Sequence, residues 1–423
     1  MRKMELLAPA GGPEQLGMAL HFGADAVYLA GRRWGMRSAS ANFGDDELAA
    51  AVARAHAAGA RVHVTVNAMA TDTDIDELPA YLRLLDEAGV DAVIVGDLGV
   101  MALARAHAPH VELHVSTQAS CMNSAAAEQY LRLGARRVVL AREMTLTQIA
   151  ELRRRTSAEL ELEVFAHGSM CMAVSGRCLL SSEMTGGRRA ATFGDCAQPC
   201  RWEWGLVERR TPGRELGLEC GGGWSHLMSA DDLCMVEHLD ELAAAGVDSI
   251  KVEGRAKGAY YAAAVTNAYR HVLDGDDPAA WRRELDMVSH RPYSTGFFFG
   301  NPTQSPQVDG YARDRLMVAV VTSCEPVEGG PGRGGVAGAG AADGVGARWR
   351  VGLTCRNRAE AGCELDVLSP GQPVRRMPLV GVEAAGDDGA WVAAPEGLAH
   401  SMDRYRAISP WPLQPGDLLC RRV

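Results

Sequence analysis

Four cysteines fall within thirty residues, as Cys171-x6-Cys178 in HGSMCMAVSGRC and Cys196-x3-Cys200 in FGDCAQPCRWEW. Thiolates so grouped surround soft metal centres, either iron–sulfur clusters or zinc. Structural zinc more often shows two short CxxC-type knuckles, so the x6 spacing leans towards a cluster. Gly194 and Pro199 shape tight turns beside the second pair. The competing reading is four small apolar side chains with no shared task, since free cysteine packs as a small hydrophobe. The polar, Gly- and Arg-rich text around them offers no core for that. Cys220, in ECGGGW, and Cys234 lie in or just after the same stretch, and either can replace one of the four. Cys234 sits in a helical pattern with Leu233, Val236 and Leu239 and reads as core, as the scattered Cys121, Cys324, Cys355, Cys363 and Cys420 read as packing residues.

A second chemistry is nucleophilic. His167 precedes Cys171 by four residues, and a Cys–His pair is a catalytic dyad when the two meet. That reading explains one clustered cysteine of four. HExxH and GxSxG are absent, so neither a zincin nor a serine-hydrolase elbow is present as a motif. Binding is the third possibility. From Glu183 to Arg214 six arginines face four acids, with Trp202 and Trp204 among them. Arginine beside aromatic rings meets phosphate and stacks bases; the plainer alternative is a solvated rim.

The elements that must carry these groups are regular. Aliphatic and β-branched runs at Glu5–Leu7, Ala26–Ala30, Arg61–Val66, Ala92–Val95, Glu112–Ser116, Arg137–Leu140, Glu161–Ala166 and Ser249–Val252 alternate with stretches of helical spacing such as Leu48, Ala51, Val52 and Ala55. Gly23, Gly89 and Gly246 stand where a helix ends before the next strand. Eight such units predict an α/β fold, a (β/α)8 TIM-like barrel over 1–300, with an open doubly wound sheet as the alternative. No GxGxxG follows a strand, which weakens a dinucleotide reading. The beat breaks at about 171–230, so the Cys-rich insertion falls between the seventh and eighth strands, on the side where barrels keep their chemistry. Polar residues gather at the other strand ends: Asn67; Ser116, Thr117 and Gln118; Arg142 and Glu143; Lys251, Glu253 and Arg255. They form either a ligand site or an ion-pair network in the barrel mouth. Residues 301–423 read as a small C-terminal antiparallel β domain, with strands at Met317–Cys324, Arg350–Thr354, Glu364–Leu368 and Trp391–Ala394 and a last one within Gly416–Val423. A flexible Gly-rich insertion, Glu328–Ala347, interrupts its first hairpin.

The 423 residues carry a net charge of −10, with 47% hydrophobic and 23% charged residues. That balance excludes a disordered or fibrous chain. It also argues against coating nucleic acid by bulk charge. No apolar run is long enough to span a membrane or serve as a signal peptide, so a cytoplasmic enzyme is expected, and eleven cysteines there point to metal or redox chemistry rather than disulfides.

LLAPAGGPEQLGMALHFGADAVYLAG, HVSTQAS, FAHGSMCMAVSGRCLLSS with CAQPCRWEW, and IKVEGRAKGAYY together resemble the collagenase-like peptidase family, and CRNRAEAGCELDVLSPG resembles its C-terminal β-barrel domain. The family's name implies a peptidase, here with Cys171 and His167 or an assisting metal. Its better-understood branches imply oxygen-independent hydroxylation of RNA or quinone precursors. The branch with the C-terminal barrel implies a tRNA hydroxylase forming 5-hydroxyuridine at the wobble position, with prephenate as the small-molecule oxygen donor. By that resemblance Cys171, Cys178, Cys196 and Cys200 hold a 4Fe-4S cluster. Four ligands close it for electron transfer, and three leave an open iron for substrate oxygen. Gln118, His167, Glu253 and Arg255 are then the candidates for substrate positioning, and Arg188, Arg189 and Arg201 for RNA phosphate. Hydroxylation of ribosomal RNA or of a quinone precursor, and a zinc-stapled binding module, remain the alternatives.

Overall fold

The computed structural model describes residues 4–37, 40–171, 173–202, 204, 206–207, 215–216, 230–303, 314–327, 348–386 and 389–423. Cys220 and the Gly-rich insertion lie outside the described residues. The chain divides into two compact units, Met1–Leu285 with Ser289–Ala312, and Asp286–Val288 with Arg313–Val423.

In the first unit, strands alternate with helices in chain order: β1 (Glu5–Pro9), α1 (Pro13–His21), β2 (Ala26–Leu29), α2 (Asp45–Ala57), β3 (Arg61–Val66), α3 (Asp72–Glu87), β4 (Ala92–Val95), α4 (Leu98–His107), β5 (Glu112–Val115), α5 (Ser124–Arg132), β6 (Ala135–Val139), α6 (Leu146–Arg155) and β7 (Glu161–Ser169). After the Cys-rich segment, with its short α7 (Leu180–Met184) and a two-residue pair β8 (Leu206–Val207) and β9 (Glu215–Leu216), come β10 (Asp232–Cys234), α8 (Leu239–Ala244), β11 (Ser249–Val252) and α9 (Ala259–Asp274). β1 to β7 pair in sequence order, all parallel. β11 then pairs in parallel with both β7 and β1 and closes the ring. The fold is the eight-stranded TIM-like barrel that the alternation predicts.

Local sequence explains the joints. Thr71 and Asp74 form a reciprocal capping box at the start of α3, and Thr145 with Gln148 does the same for α6. Gly246, just past α8, has φ +83°, a left-handed backbone that glycine adopts without strain. The strands bury aliphatic residues on both faces, as parallel strands covered by helices must, with His63, His114, Arg137, Glu163 and Lys251 as buried polar exceptions.

β7 is longer than its neighbours. Its last residues overrun the barrel and pair antiparallel with β10, placing Cys234 opposite His167. Cys234 is therefore in a strand, not in the helix its spacing suggested; the helical pattern belongs to the turn and helix that follow it. It is buried, as expected of a core residue.

The second unit is an eight-stranded antiparallel sheet around its own core of Val318, Val321, Val351, Leu353, Leu365 and Leu419. The four strands read from sequence correspond to Arg315–Pro326, Trp349–Cys355, Glu364–Leu368 and Trp391–Ala393, and the last to Leu418–Arg422. Strands at Arg375–Pro378, Val380–Ala385 and Arg404–Ser409 complete it. Cys355 and Cys420 are buried in the unit, and Cys324 and Cys363 pack against its core.

Candidate active site

The C-terminal ends of the barrel strands converge on a small cavity of about 60 Å³ lined by Tyr28, Thr65, Asn67, Gln118, Arg142, Phe165, Glu253 and Arg255, among others. Glu253 is its carboxylate. Arg37 Nη2 stands 3.5 Å from one of its oxygens and Arg142 Nη2 3.3 Å from the other. Burial alone would raise the pKa of Glu253; Arg37, Arg142 and Arg255 overcome it and hold the carboxyl below its ordinary value. Arg142 is itself fixed, donating to the Ser169 carbonyl at 2.9 Å and lying over the Phe165 ring. Arg255 donates to Thr65 Oγ1 at 2.9 Å. Asn67 takes the Met36 N–H at 3.1 Å and donates to Ser116 Oγ at 3.2 Å. Two of the paired readings for the strand ends thus separate. Arg142 joins Glu253 in an ion pair, whereas Glu143 accepts from the backbone N–H of Ser175 at 2.9 Å and ties down the Cys-rich segment.

Gly168 makes this geometry possible. Its φ is +105°, and a Cβ built there would sit 2.3 Å from the Glu253 carbonyl oxygen. β7 and the backbone of Glu253 touch at this point, where Glu253 N–H donates to the His167 carbonyl at 2.8 Å. Neither Gly168 nor Arg37 was singled out from sequence. Arg37 lies on the loop after β2, where no periodic signal marks a strand end.

A second cavity, about 310 Å³, adjoins the first. Cys171, Cys196, Cys200, Arg201 and Lys257 line it, and Arg37 and Glu253 belong to both. Three of the four predicted thiols thus share one cleft, and Cys178 is not part of its lining. Burial pushes the Cys200 thiol up and the Lys257 ammonium down to about 8. Among the described residues, no group of three or more His, Cys, Asp or Glu side chains converges closely enough to hold a metal ion. The segment is anchored by more than Glu143: Met69 N–H donates to the Thr192 carbonyl at 3.1 Å, and Gly194 packs directly on the Gly35 carbonyl.

The remaining candidates are placed as follows. Gln118 lines the barrel-mouth cavity and its amide makes no hydrogen bond among the described residues. His167 lines neither cavity. It is buried among Tyr261, Tyr269 and Tyr293, its Nδ1 meets the Tyr269 hydroxyl at 3.3 Å, and burial drives its pKa down to about 3. No hydrogen bond joins it to Cys171. Arg188 donates to the Thr185 carbonyl, Arg189 pairs with Asp195, and Arg201 donates to the Gln198 amide oxygen. Around them Phe193 and Trp202 are exposed, and Trp202 stacks on Trp204 at 6.2 Å between ring centres. No helix among the described residues is long and apolar enough to cross a membrane.

The model of peptidase family U32 matches residues 11–307. The chain is 40% identical over 318 residues to tRNA hydroxylation protein P1 of Bacillus subtilis, covering 73% of this chain and 74% of that protein. It is 41% identical over 309 residues to the uncharacterized protease MJ0090 of Methanocaldococcus jannaschii, covering 71% and 74%. It is 37% identical over 272 residues to the 23S rRNA 5-hydroxycytidine C2501 synthase of Escherichia coli, covering 64% of this chain and 39% of that larger protein.

Proposed function

The chain belongs to peptidase family U32, and from that membership together with its joined cavities we propose that it is an RNA-hydroxylating enzyme whose substrate is a tRNA uridine. Relatives named for tRNA hydroxylation match over 311–343 residues at 31–40% identity, and one is named as a 5-hydroxycytidine synthase of 23S ribosomal RNA. The observation that carries the reading furthest is the sharing of Arg37 and Glu253 by the thiol cleft and the barrel mouth. Redox-competent thiols and a polar pocket are then two ends of one site. The wobble position as target, prephenate as oxygen donor and the cytoplasm as location are part of the same proposal.

The proposed cofactor is an iron–sulfur cluster, whose ligands stand farther apart than those of a single ion; the donor chemistry that supports it is three soft thiols in one cleft beside Arg37, Arg201 and Lys257, which offset negative charge. Cys171, Cys196 and Cys200 would hold it, with Cys178 as the expected fourth ligand. Bound there, such a cluster supplies electron transfer or, with only three protein ligands, a Lewis-acid iron. The chain's own groups do the rest. Glu253, clamped between Arg37 and Arg142, keeps a negative charge at the junction of the two cavities. Arg201 at the cleft, with exposed Arg188 and Arg189, meets RNA phosphate, and Trp202 offers a face on which a base can stack.

The test combines two measurements. Protein purified without oxygen should be brown and carry about four irons with acid-labile sulfide. Nucleoside mass spectrometry of tRNA from a deletion strain should show 5-hydroxyuridine restored by the wild-type gene and not by Cys196→Ala. Restoration by that variant, or unchanged nucleosides in the deletion strain, overturns the reading. Cys178→Ala is the sharper companion: loss of iron assigns it as the fourth ligand, and full retention assigns a three-cysteine site. The peptidase alternative has no formed Cys171–His167 dyad to support it.

A further inference from the structure

The outer face of the C-terminal sheet holds a row of arginines that the fold leaves unengaged. In Trp349–Cys355 the side chains of Val351, Leu353 and Cys355 enter the core, and in Arg404–Ser409 those of Tyr405 and Ala407 do. Strand alternation therefore turns Arg350, Gly352 and Thr354, with Arg404, Arg406 and Ile408, to the opposite face. The two strands pair antiparallel, Arg406 against Gly352 and Arg404 against Thr354. Arg348 continues the phase of Arg350, its carbonyl accepting the Val327 N–H at 2.9 Å. The guanidiniums of Arg348, Arg350, Arg404 and Arg406 make no ion pair or hydrogen bond among the described residues. Other arginines of the unit are engaged: Arg315 and Arg376 close on Asp366, and Arg421 donates to the Arg358 carbonyl. Arg406 lies over the Trp391 ring, 3.9 Å from its centre, a contact that steadies the guanidinium and takes up none of its N–H groups. Hydroxyls adjoin the row. Gly352 carries no side chain, and a Cβ there would lie 2.4 Å from the Ser323 oxygen and 2.9 Å from that of Thr322. Glu325 stands opposite Arg350 in the ladder and Glu383 opposite Arg406, yet neither pairs with them. The face thus carries a positive excess on a chain whose net charge is −10.

We propose that this face of the C-terminal unit is a docking surface for the phosphate backbone of RNA, which it grips without reading sequence. Guanidiniums match phosphate oxygens in pairs, and serine and threonine hydroxyls commonly join them on a nucleic-acid backbone. Spacing favours RNA over an acidic protein. Arg348 and Arg350, like Arg404 and Arg406, are two residues apart on a strand, about 7 Å, an interval close to that between successive phosphates of one RNA strand. A protein surface repeats its carboxylates at no fixed interval. The surface belongs to a different unit from the Cys-rich cleft, so it serves the body of an RNA rather than the reacting nucleotide. That this RNA is the tRNA being hydroxylated rests on the reading above; the docking surface does not, because it uses neither the thiols nor the barrel mouth.

The experiment is fluorescence anisotropy of a labelled, unmodified tRNA transcript, titrated with the full chain over a series of salt concentrations. Arg404→Gln combined with Arg406→Gln should weaken binding about 10-fold and lower the slope of log Kd against log salt by about 2, because each lost phosphate contact spares close to one counterion. Arg348→Gln with Arg350→Gln should act in the same direction. Trp391→Leu keeps every charge and frees only Arg406, so it should cost about 3-fold. Arg154→Gln with Arg155→Gln removes two exposed arginines of the barrel unit that pair with Glu151, and should leave both affinity and slope unchanged. Unfolding curves check each variant. If a glutamine pair fails to fold, Arg404→Lys with Arg406→Lys should fold and keep the wild-type salt slope; a folded lysine pair with a lowered slope overturns the proposal. Affinity and slope untouched by the four substitutions on the sheet overturn it, as does an equal loss in the barrel pair. Retention of polyglutamate in preference to the transcript would assign the face to an acidic protein instead. Cys196→Ala should bind the transcript as the wild type does, so a chain that binds tRNA through this face and hydroxylates none would remove the proposed reaction and leave the docking surface standing.

Discussion

Two layers of one barrel interior carry charge and use it in opposite ways. At the N-terminal end, Arg137 places all five of its donors: on Glu5 twice, on Glu161 twice and on Glu163 once, at 2.5–3.3 Å. Lys251 donates to Glu163 at 3.1 Å, and Arg61 pairs with Glu5. Glu161 also pairs with Arg136 at 3.2 Å, so each of the three acids and four bases meets an opposite charge. Burial opposes the charge on Glu5, yet Arg137 holds its carboxyl well below the usual carboxylate range. His63 and His114, edge to face at 4.8 Å in the same layer, are kept neutral chiefly by burial. At the C-terminal end, Arg37, Arg142 and Arg255 face a single carboxylate, Glu253. The same strands build both layers. In the first layer every charge has an opposite partner in contact; in the second, positive charge is in excess around one carboxylate.

The largest effect is expected where charge is balanced. Arg137→Met leaves Glu5, Glu161 and Glu163 without their shared partner, and breaking a buried network of this kind costs about 3–5 kcal/mol. Denaturant unfolding of the full chain measures it, and most of the variant should be insoluble or molten at 37 °C. A loss near zero would break the comparison, since the N-terminal layer would then be as dispensable as an exposed ion pair. Gly168→Ala comes next. Its Cβ meets the Glu253 carbonyl and its φ suits glycine, so a loss of about 1–3 kcal/mol is expected, with activity falling further than stability because Glu253 must shift.

At the mouth the order reverses. Glu253→Gln should cost about 1–3 kcal/mol, because Arg37, 40% exposed, regains water when released whereas Arg142, 12% exposed, keeps a hydrogen-bond acceptor but loses its counter-charge. Activity should fall about 100-fold, as when a positioning group is lost. Hydroxylation assays and unfolding curves on the same preparation sharpen the contrast. Equal losses in both would show that the mouth is also a structural network.

Much of this was legible in the sequence. Each of the eight barrel strands overlaps a run read from alternation, because buried parallel strands write themselves as aliphatic runs between helical spacings. Gln118, Arg142, Glu253 and Arg255 were legible because polar residues at strand ends have few other uses in a barrel. Arg37 was not, since it reaches the site from a loop without periodicity. Cys234 was assigned to a helix because a three-residue strand is too short to show its own period. The three strands missed in the C-terminal unit carry many half-exposed or polar residues, as in Arg375–Pro378. The placing of Cys171, Cys196 and Cys200 on one cleft, apart from Cys178, depends on how the insertion folds back on the loops after β2 and β3, and spacing alone does not encode it.

His167 gives the smallest effect and the most specific one. Its place at the end of β7 was plain from sequence, but not the cage that Tyr261 and Tyr269 of α9 and Tyr293 draw around it. Burial lowers its pKa to about 3; Asp232 pulls the other way, and His290, Arg282 and Lys257 reinforce burial. The unfolded chain takes up this proton near the ordinary value of about 6.5, so between about pH 6.5 and 3 the unfolded state binds a proton that the folded state refuses. Stability from this residue is therefore fully present above pH 6.5 and is lost as the pH falls. The slope it adds approaches about 1.4 kcal/mol per pH unit within that window. In His167→Phe that slope should vanish, while the contributions of Glu5, His63 and His114 persist in both proteins. Unfolding free energies measured from pH 7 to 4 should therefore converge between variant and wild type, or cross, as acid is added. Parallel curves would mean that His167 titrates normally in the folded chain, which would return it to the barrel-mouth site as a working imidazole.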